Sequence, residues 1–305
     1  VDAYYRYNLD NPSGKTNNLT SFTNSNNSFE LGMASIKAEH SIGKVSGTLD
    51  LGFGRRANEF SYNDANSLAS VKQLFLTYAP NSKIKFTMGK WATHIGYEMV
   101  DAQLNRNYSM SYGFSYGPFF HTGIKADIGL GCNTNFMIGV ANPTDYSTTV
   151  SSTKILIAQL STATKSNHLK AYLNYQGGSG LNQIDLVLNA YLSKQFNLAY
   201  NFSHRSDQTT TGIKKWTSNA LYANYDPLEE FGLTLRTEYF NDKENLAGLN
   251  SGIFQATLSG NIRINNLTLI PEIRWEKSSN PIFQKSGEQT SLSTTSFILA
   301  AVYHF

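Results

Sequence analysis

Apolar and polar residues alternate with a period of two along most of this chain, and a helical period is hard to find. The clearest stretch is 231–241. There Phe231, Leu233, Leu235, Thr237 and Tyr239 share one face, while Thr234, Arg236 and Glu238 share the other. The stretch 266–277 repeats the pattern, with Leu267, Leu269, Pro271, Ile273 and Trp275 opposed by Thr268, Glu272, Arg274 and Glu276. Proline cannot donate to a ladder, so Pro271 predicts a bulge or a locally missing bond. Read in this way, the chain yields about sixteen strands: 1–9, 29–39, 44–54, 70–79, 83–92, 118–128, 133–142, 153–162, 167–176, 182–192, 196–205, 215–226, 231–241, 251–264, 266–277 and 293–305.

The connections sort by parity. Short turns at 41–43, 80–82, 129–132, 165–166, 193–195, 227–230 and 265 alternate with longer polar loops. The longer loops are 10–28, 55–69, 93–117, 143–152, 177–181, 206–214, 242–250 and 278–292. A sandwich has no reason to segregate its loops this way. A closed barrel with both termini on the short-turn side requires it. Many apolar faces also begin or end in Phe, Tyr or Trp, where a membrane interface would lie. The predicted fold is therefore all-β: a transmembrane antiparallel up-and-down β-barrel of about 16 strands, forming a single domain over residues 1–305. Sixteen strands leave an aqueous channel, whereas eight are filled by their own side chains.

The longest interval without a strand pattern, 93–117, is the third outer loop. A loop of this length inside a compact fold is usually functional or disordered. Its Ile95, Tyr97, Met99, Val100 and Tyr108 give it apolar surface to pack, so it is expected to fold into the lumen and narrow it. His94, Tyr97, Glu98, Asp101 and Arg106 are its candidate constriction residues. Trp91, Tyr97, Met99 and Leu104 are its expected anchors. An outward cap over the mouth is the alternative.

Composition sharpens this reading. Aromatics make up 13% of the chain and charged residues only 15%, against a usual ~25%. The net charge of +3 is too small to argue for nucleic acid. A mean hydropathy of −0.33 would suit a soluble protein, but alternation dilutes hydropathy in the same way. No run of 18 apolar residues exists, which excludes a membrane-spanning helix. The ending Phe297–Phe305 alternates aromatic and aliphatic residues up to a terminal Phe, and resembles the C-terminal signal of bacterial outer-membrane proteins. An exported chain would have lost its signal segment before Val1.

The motifs Met88-Gly89-Lys90-Trp91, Gly96-Tyr97-Glu98 and His121-Thr122-Gly123 resemble those of the OmpL-like β-barrel porins of Bacteroidota outer membranes. The likeness extends in a general way over most of the chain. It implies a pore for small hydrophilic solutes and carries no catalytic residues across.

Lumen-facing positions carry ten basic and six acidic residues: Arg6, Lys44, Asp50, Lys83, Lys85, Lys125, Asp127, Lys170, Asp185, Arg205, Arg236, Glu238, Arg263, Glu272, Arg274 and Glu276. A charge facing lipid at mid-depth would cost roughly 2–4 kcal/mol. Their shared face therefore predicts water. Arg6, Arg236, Arg263 and Arg274 form the expected basic wall, set against Glu98 and Asp101 on the loop. A transverse field and simple pairing with Glu238, Glu272 and Glu276 are both compatible with that placement.

Other chemistry finds little support. The single Cys132 allows no internal disulfide, and the six scattered histidines show no metal-ligand spacing. Tyr62–Asn66 could offer oxygens to calcium but reads first as a polar turn. No nucleophile elbow accompanies His94 or His121. No enzyme, cofactor, metal or nucleic-acid partner is expected. Outer-membrane lipid and small solutes or ions are the expected partners, with a homo-oligomer or a larger envelope complex left open. The competing readings are a scaffold barrel and an outer-membrane lipid hydrolase.

Overall fold

Period-two segments that meet lipid on one side and water on the other leave no free backbone edge only if the sheet closes. The computed structural model describes residues 1–305, the side chain of Glu288 apart. Its strands are β1 (Asp2–Asn8), β2 (Ser28–Leu31, resumed as Ala34–Ile42), β3 (Val45–Phe53), β4 (Val71–Tyr78), β5 (Ile84–Ala92) and β6 (Phe120–Gly131). There follow β7 (Thr134–Ala141), β8 (Ile155–Ala163), β9 (Leu169–Gly178), β10 (Leu181–Tyr191) and β11 (Phe196–Thr209). The last five are β12 (Gly212–Tyr225), β13 (Phe231–Asn241), β14 (Gly252–Ile264), β15 (Leu267–Ser278) and β16 (Ser293–Tyr303). Each pairs antiparallel with the next, and β1 pairs with both β2 and β16. With β2 counted once, the ladder closes as a barrel of sixteen strands.

Pro271 does open the ladder. Pairing between β14 and β15 stops after Ser259↔Glu272 and resumes at Ile262↔Leu269, with Gly260 leaving room for the proline ring. The outer face is apolar and belted. Tyr78, Tyr191, Tyr225 and Tyr303 stand exposed at the short-turn end; Phe29, Phe53, Tyr239, Phe254 and Trp275 stand exposed toward the loop end.

Three local features depart from the alternation. The long loop 55–69 contains a short helix, α1 (Arg55–Phe60). The expected loops 177–181 and 206–214 are two-residue turns, because β9–β10 and β11–β12 run further as hairpins. A bulge between β3 and β4 leaves Lys72 unpaired on its strand and turns it inward.

Candidate functional site

The lumen is occupied above all by the chain's own loops. The third loop, 93–117, enters it and reaches across to the far wall. At its root, Thr93 Oγ1 lies 3.1 Å from His121 Nε2, and His94 Nε2 donates to the Tyr175 carbonyl at 3.1 Å. The Gly96 amide then donates to Asp185, and Tyr97 packs on Tyr222 with ring centroids 4.3 Å apart. Glu98 pairs with Arg236 at 2.5 Å, Asp101 with Lys72 at 2.5 Å, and Arg106 with Asp226 at 2.8 Å. All five constriction candidates are thus fastened to the wall at separate points.

Past Arg106 the loop is held through its backbone. The wall carboxylate of Glu272 accepts from the amides of Tyr108 and Ser109 at 2.8 and 3.2 Å. Glu238 accepts from Tyr112 and Gly113 at 2.8 and 2.7 Å. Arginines on the same wall take the carbonyls: Arg236 donates to Ser109 O at 2.6 Å, and Arg274 to Met110 O at 2.6 Å. Acids meeting amides and guanidinium groups meeting carbonyls satisfy an extended segment that has no strand partner. A short helix, α2 (Tyr112–Ser115), follows, with Ser111 accepting from the Phe114 amide as its cap.

Other loops complete a plug. Phe22 from loop 10–28, Phe60 from α1, and Val100, Met110, Phe114, Phe119 and Phe120 form one buried apolar cluster. Arg56 of α1 is fully buried, donates to the Val100 carbonyl at 3.1 Å and lies over the rings of Phe22 and Tyr108. Burial lowers the proton affinity of Arg56, but Tyr108 and Asp2 more than restore it, so its charge is held firmly. Gly89, at φ +137°, lets the consecutive Lys90 and Trp91 both sink out of solvent. No side chain fits at Gly89, because a Cβ would meet the Leu74 carbonyl at 2.2 Å. Lys90 holds Asp64 at 2.8 Å, so the carboxylate of the once-considered calcium turn is used as a loop fastener.

Two sequence expectations change. Of the basic wall Arg6, Arg236, Arg263 and Arg274, only Arg263 stays partly open, at 31% exposure and paired with Asp226. Arg6, Arg236 and Arg274 are sealed beneath the loops, their charges absorbed by carbonyls, Glu98 and Glu276. A transverse field in open water cannot arise from groups that touch no water. Nor do Met99 and Leu104 act as anchors, being 40% and 60% exposed. Tyr108, Met110 and Tyr112 anchor the loop instead, each at 1% exposure or less. Their i, i+2, i+4 spacing was visible in the sequence.

Two cavities of similar size open toward opposite ends of the barrel. An outer cavity of about 520 Å³ lies among the long loops, beside Tyr62, Tyr116 and Arg205. An inner cavity of about 480 Å³ opens at the short-turn end, beside Lys83, Lys85, Asp127 and Gln159. They share no lining residue. The third loop, fastened across the barrel, narrows the lumen.

The family described as "Putative beta-barrel porin-2, OmpL-like" matches residues 1–305. The chain belongs to this family. A comparison with curated proteins finds no match. Among solved structures, the chain is similar to the outer-membrane channel DcaP of Acinetobacter baumannii, at 14% identity and a TM-score of 0.63, covering 100% of this chain and 94% of that one. OmpT of Vibrio cholerae gives 9% identity and 0.65, over 100% and 95%. An anion-selective porin from Comamonas acidovorans gives 13% and 0.63, over 100% and 97%. At such identities these likenesses speak for the fold. The OmpL-like chain is a porin: a passive channel of the outer membrane for small hydrophilic solutes, through a barrel narrowed by loop 93–117.

Proposed function

We propose that this OmpL-like porin is an anion-preferring diffusion channel whose third loop, seated as described, holds it in a closed or low-conductance state. The reading is carried by the charge of the wet inner lumen. There Lys83 and Lys85 line the inner cavity, the Lys85 side chain 53% exposed, and Lys125 lies 3.6 Å from the same Asp127 that Lys85 approaches. The opposing acid is Asp127. Lysines outnumber carboxylates where water is present, whereas the buried arginines above are matched by carboxylates and carbonyls. Fixed charge beside an aqueous path acts over about 8 Å at physiological salt, so it selects among ions close to the wall. The anion selectivity named for the Comamonas structure is in keeping with this.

The reading also takes residues 1–305 as one unit, without enzymatic activity, in the outer membrane of a bacterium that exports it with a cleaved signal segment. A trimer is named for one of the OmpT structures, and a homo-oligomer is the partner class proposed here.

The test is a reversal potential under a salt gradient in a planar bilayer. The parent should favour the anion, and Lys85→Gln with Lys125→Gln should move the preference toward cations, less so as salt rises. A parent that is cation-selective at low salt would overturn the proposal.

A further inference from the structure

The outer cavity has a chemistry of its own. Its wall offers two tyrosines, Tyr62 and Tyr116. Tyr62 remains 57% exposed although Phe119 packs edge-on against it, with ring centroids 6.1 Å apart. Tyr116 is fixed by stacking on Phe240, 5.4 Å away, and by donating its hydroxyl to the Leu19 carbonyl at 3.0 Å. An aromatic ring kept at a wet mouth presents a negative face to any partly positive C–H edge.

The cavity's charges cancel internally. Arg205 is closed on Asp207 at 2.7 Å, and Glu59 on Arg55 at 3.3 Å. The carboxylate of Asp145 is buried beneath the amides of Phe119 and Phe120 and the Tyr62 hydroxyl. The site therefore gives a free ion little reason to stay. Hydrogen-bonding capacity is left over: Arg205 uses Nε and Nη2 on Asp207, which leaves Nη1, and the Ser21 hydroxyl has no partner among the described residues. The volume of about 520 Å³ falls in the range of small-ligand pockets.

A ligand with apolar C–H faces, many hydroxyls and no charge meets all of these conditions. We infer that the outer cavity binds a neutral saccharide of one or two rings, laid against Tyr62 and hydrogen-bonded by Arg205 Nη1 and Ser21 Oγ. The inference rests on the porin reading only in taking this mouth as the side of entry.

The experiment adds maltose or sucrose to the loop side of single channels in a planar bilayer and, separately, follows saturation transfer to maltose by NMR on the refolded protein. Sided, saturable current block and transfer to the sugar ring protons are expected. Tyr62→Phe, which keeps the ring, should change half-saturation by less than about twofold. Tyr62→Leu or Arg205→Gln should raise it about tenfold, the loss of roughly one aromatic or charged contact. Each variant is first checked for heat-dependent gel mobility, so that a folding failure is seen as such. The inference is overturned by a conducting channel that ignores both sugars, by equal block from polyethylene glycol of matched size, or by stronger block from gluconate. A protein that binds maltose by NMR but never conducts would sink the porin reading and leave the saccharide site standing.

Discussion

Replacing Glu98 with alanine should unseat the third loop while leaving the barrel intact. Glu98 and Arg236 form an ion pair at 2.5 Å, with side-chain exposures of 4% and 0%. Removing one partner of such a pair leaves an uncompensated buried charge, a loss of about 3–5 kcal/mol. Arg236 keeps its bonds to Ser109, Met110 and Thr257, which argues for the lower end. Glu98 also accepts from the Ser111 amide and hydroxyl, both at 2.8 Å, and each lost bond adds about 1 kcal/mol. The total is about 5 kcal/mol, or more than a thousandfold in the equilibrium between seated and unseated loop. The load falls on the loop, because no rung of the ladder closing β1 on β16 involves Glu98. Single-channel conductance should therefore rise, while the heat-dependent gel shift stays near the parent temperature. Pairing Glu98→Ala with Arg236→Met removes the stranded charge but also the bonds to the Ser109 and Met110 carbonyls, so any hydrogen-exchange protection regained should be confined to Tyr112 and Gly113, whose amides are held by Glu238. If Glu98→Ala conducts like the parent and keeps that protection, the ion pair does not hold the loop.

Deleting about ten residues around Glu98–Asn107 should also leave a foldable barrel with higher conductance and passage of larger sugars; unchanged size exclusion would show that the third loop is not the obstruction. Burial pushes the Asp145 carboxyl up from 3.8 to about 6, despite the amides of Phe119 and Phe120 and the Tyr62 hydroxyl that favour its charge. A carboxyl raised on folding stabilises the seating of loop 143–152 on Phe119 and Phe120, at the foot of the third loop, most below its unfolded value, and loses that contribution as pH rises through about 6. At about 1.4 kcal/mol for each pH unit, roughly 3 kcal/mol is at stake. Open probability should accordingly climb between about pH 4 and 6, and Asp145→Asn should flatten the profile; an identical profile in the variant would refute the assignment. Finally, unheated protein should run faster on a denaturing gel than boiled protein, since a closed ladder resists detergent; equal mobility would count against closure.

The strands were legible because lipid and water impose a period of two that a local window can see. Pro271 illustrates this: its ring forbids a ladder bond, and a gap lies beside it. Lys72 was not legible, because a bulge inverts its face and nothing in Val71–Tyr78 announces one. The faces of Arg6, Arg236 and Arg274 were read as inward, but alternation says nothing of what covers an inward side chain. Their neutralisation comes from carbonyls and carboxylates as much as 164 residues away in sequence. Hairpin β11–β12 was cut short for the opposite reason: its outer end is polar on both faces and reads as a loop.

Tyr108 has a consequence for how this chain reaches its closed form. Its hydroxyl donates to Asp2 on β1 at 2.5 Å across 106 residues, and its amide to Glu272 on β15 across 164. One residue about a third of the way along the sequence thus touches the first strand and the last but one, on either side of β16. Sheets of such long-range pairing close slowly, because the chain ends must find each other late. Slipping β1 by one residue would turn Asp2 toward lipid and strip Tyr108 and Arg56 of their shared acceptor. The third loop is then a mandrel as well as a barrier: a gauge, itself seated on the wall, against which the final seam is matched, so that a variant with a loosened loop should misregister more often during assembly even where its finished barrel is sound.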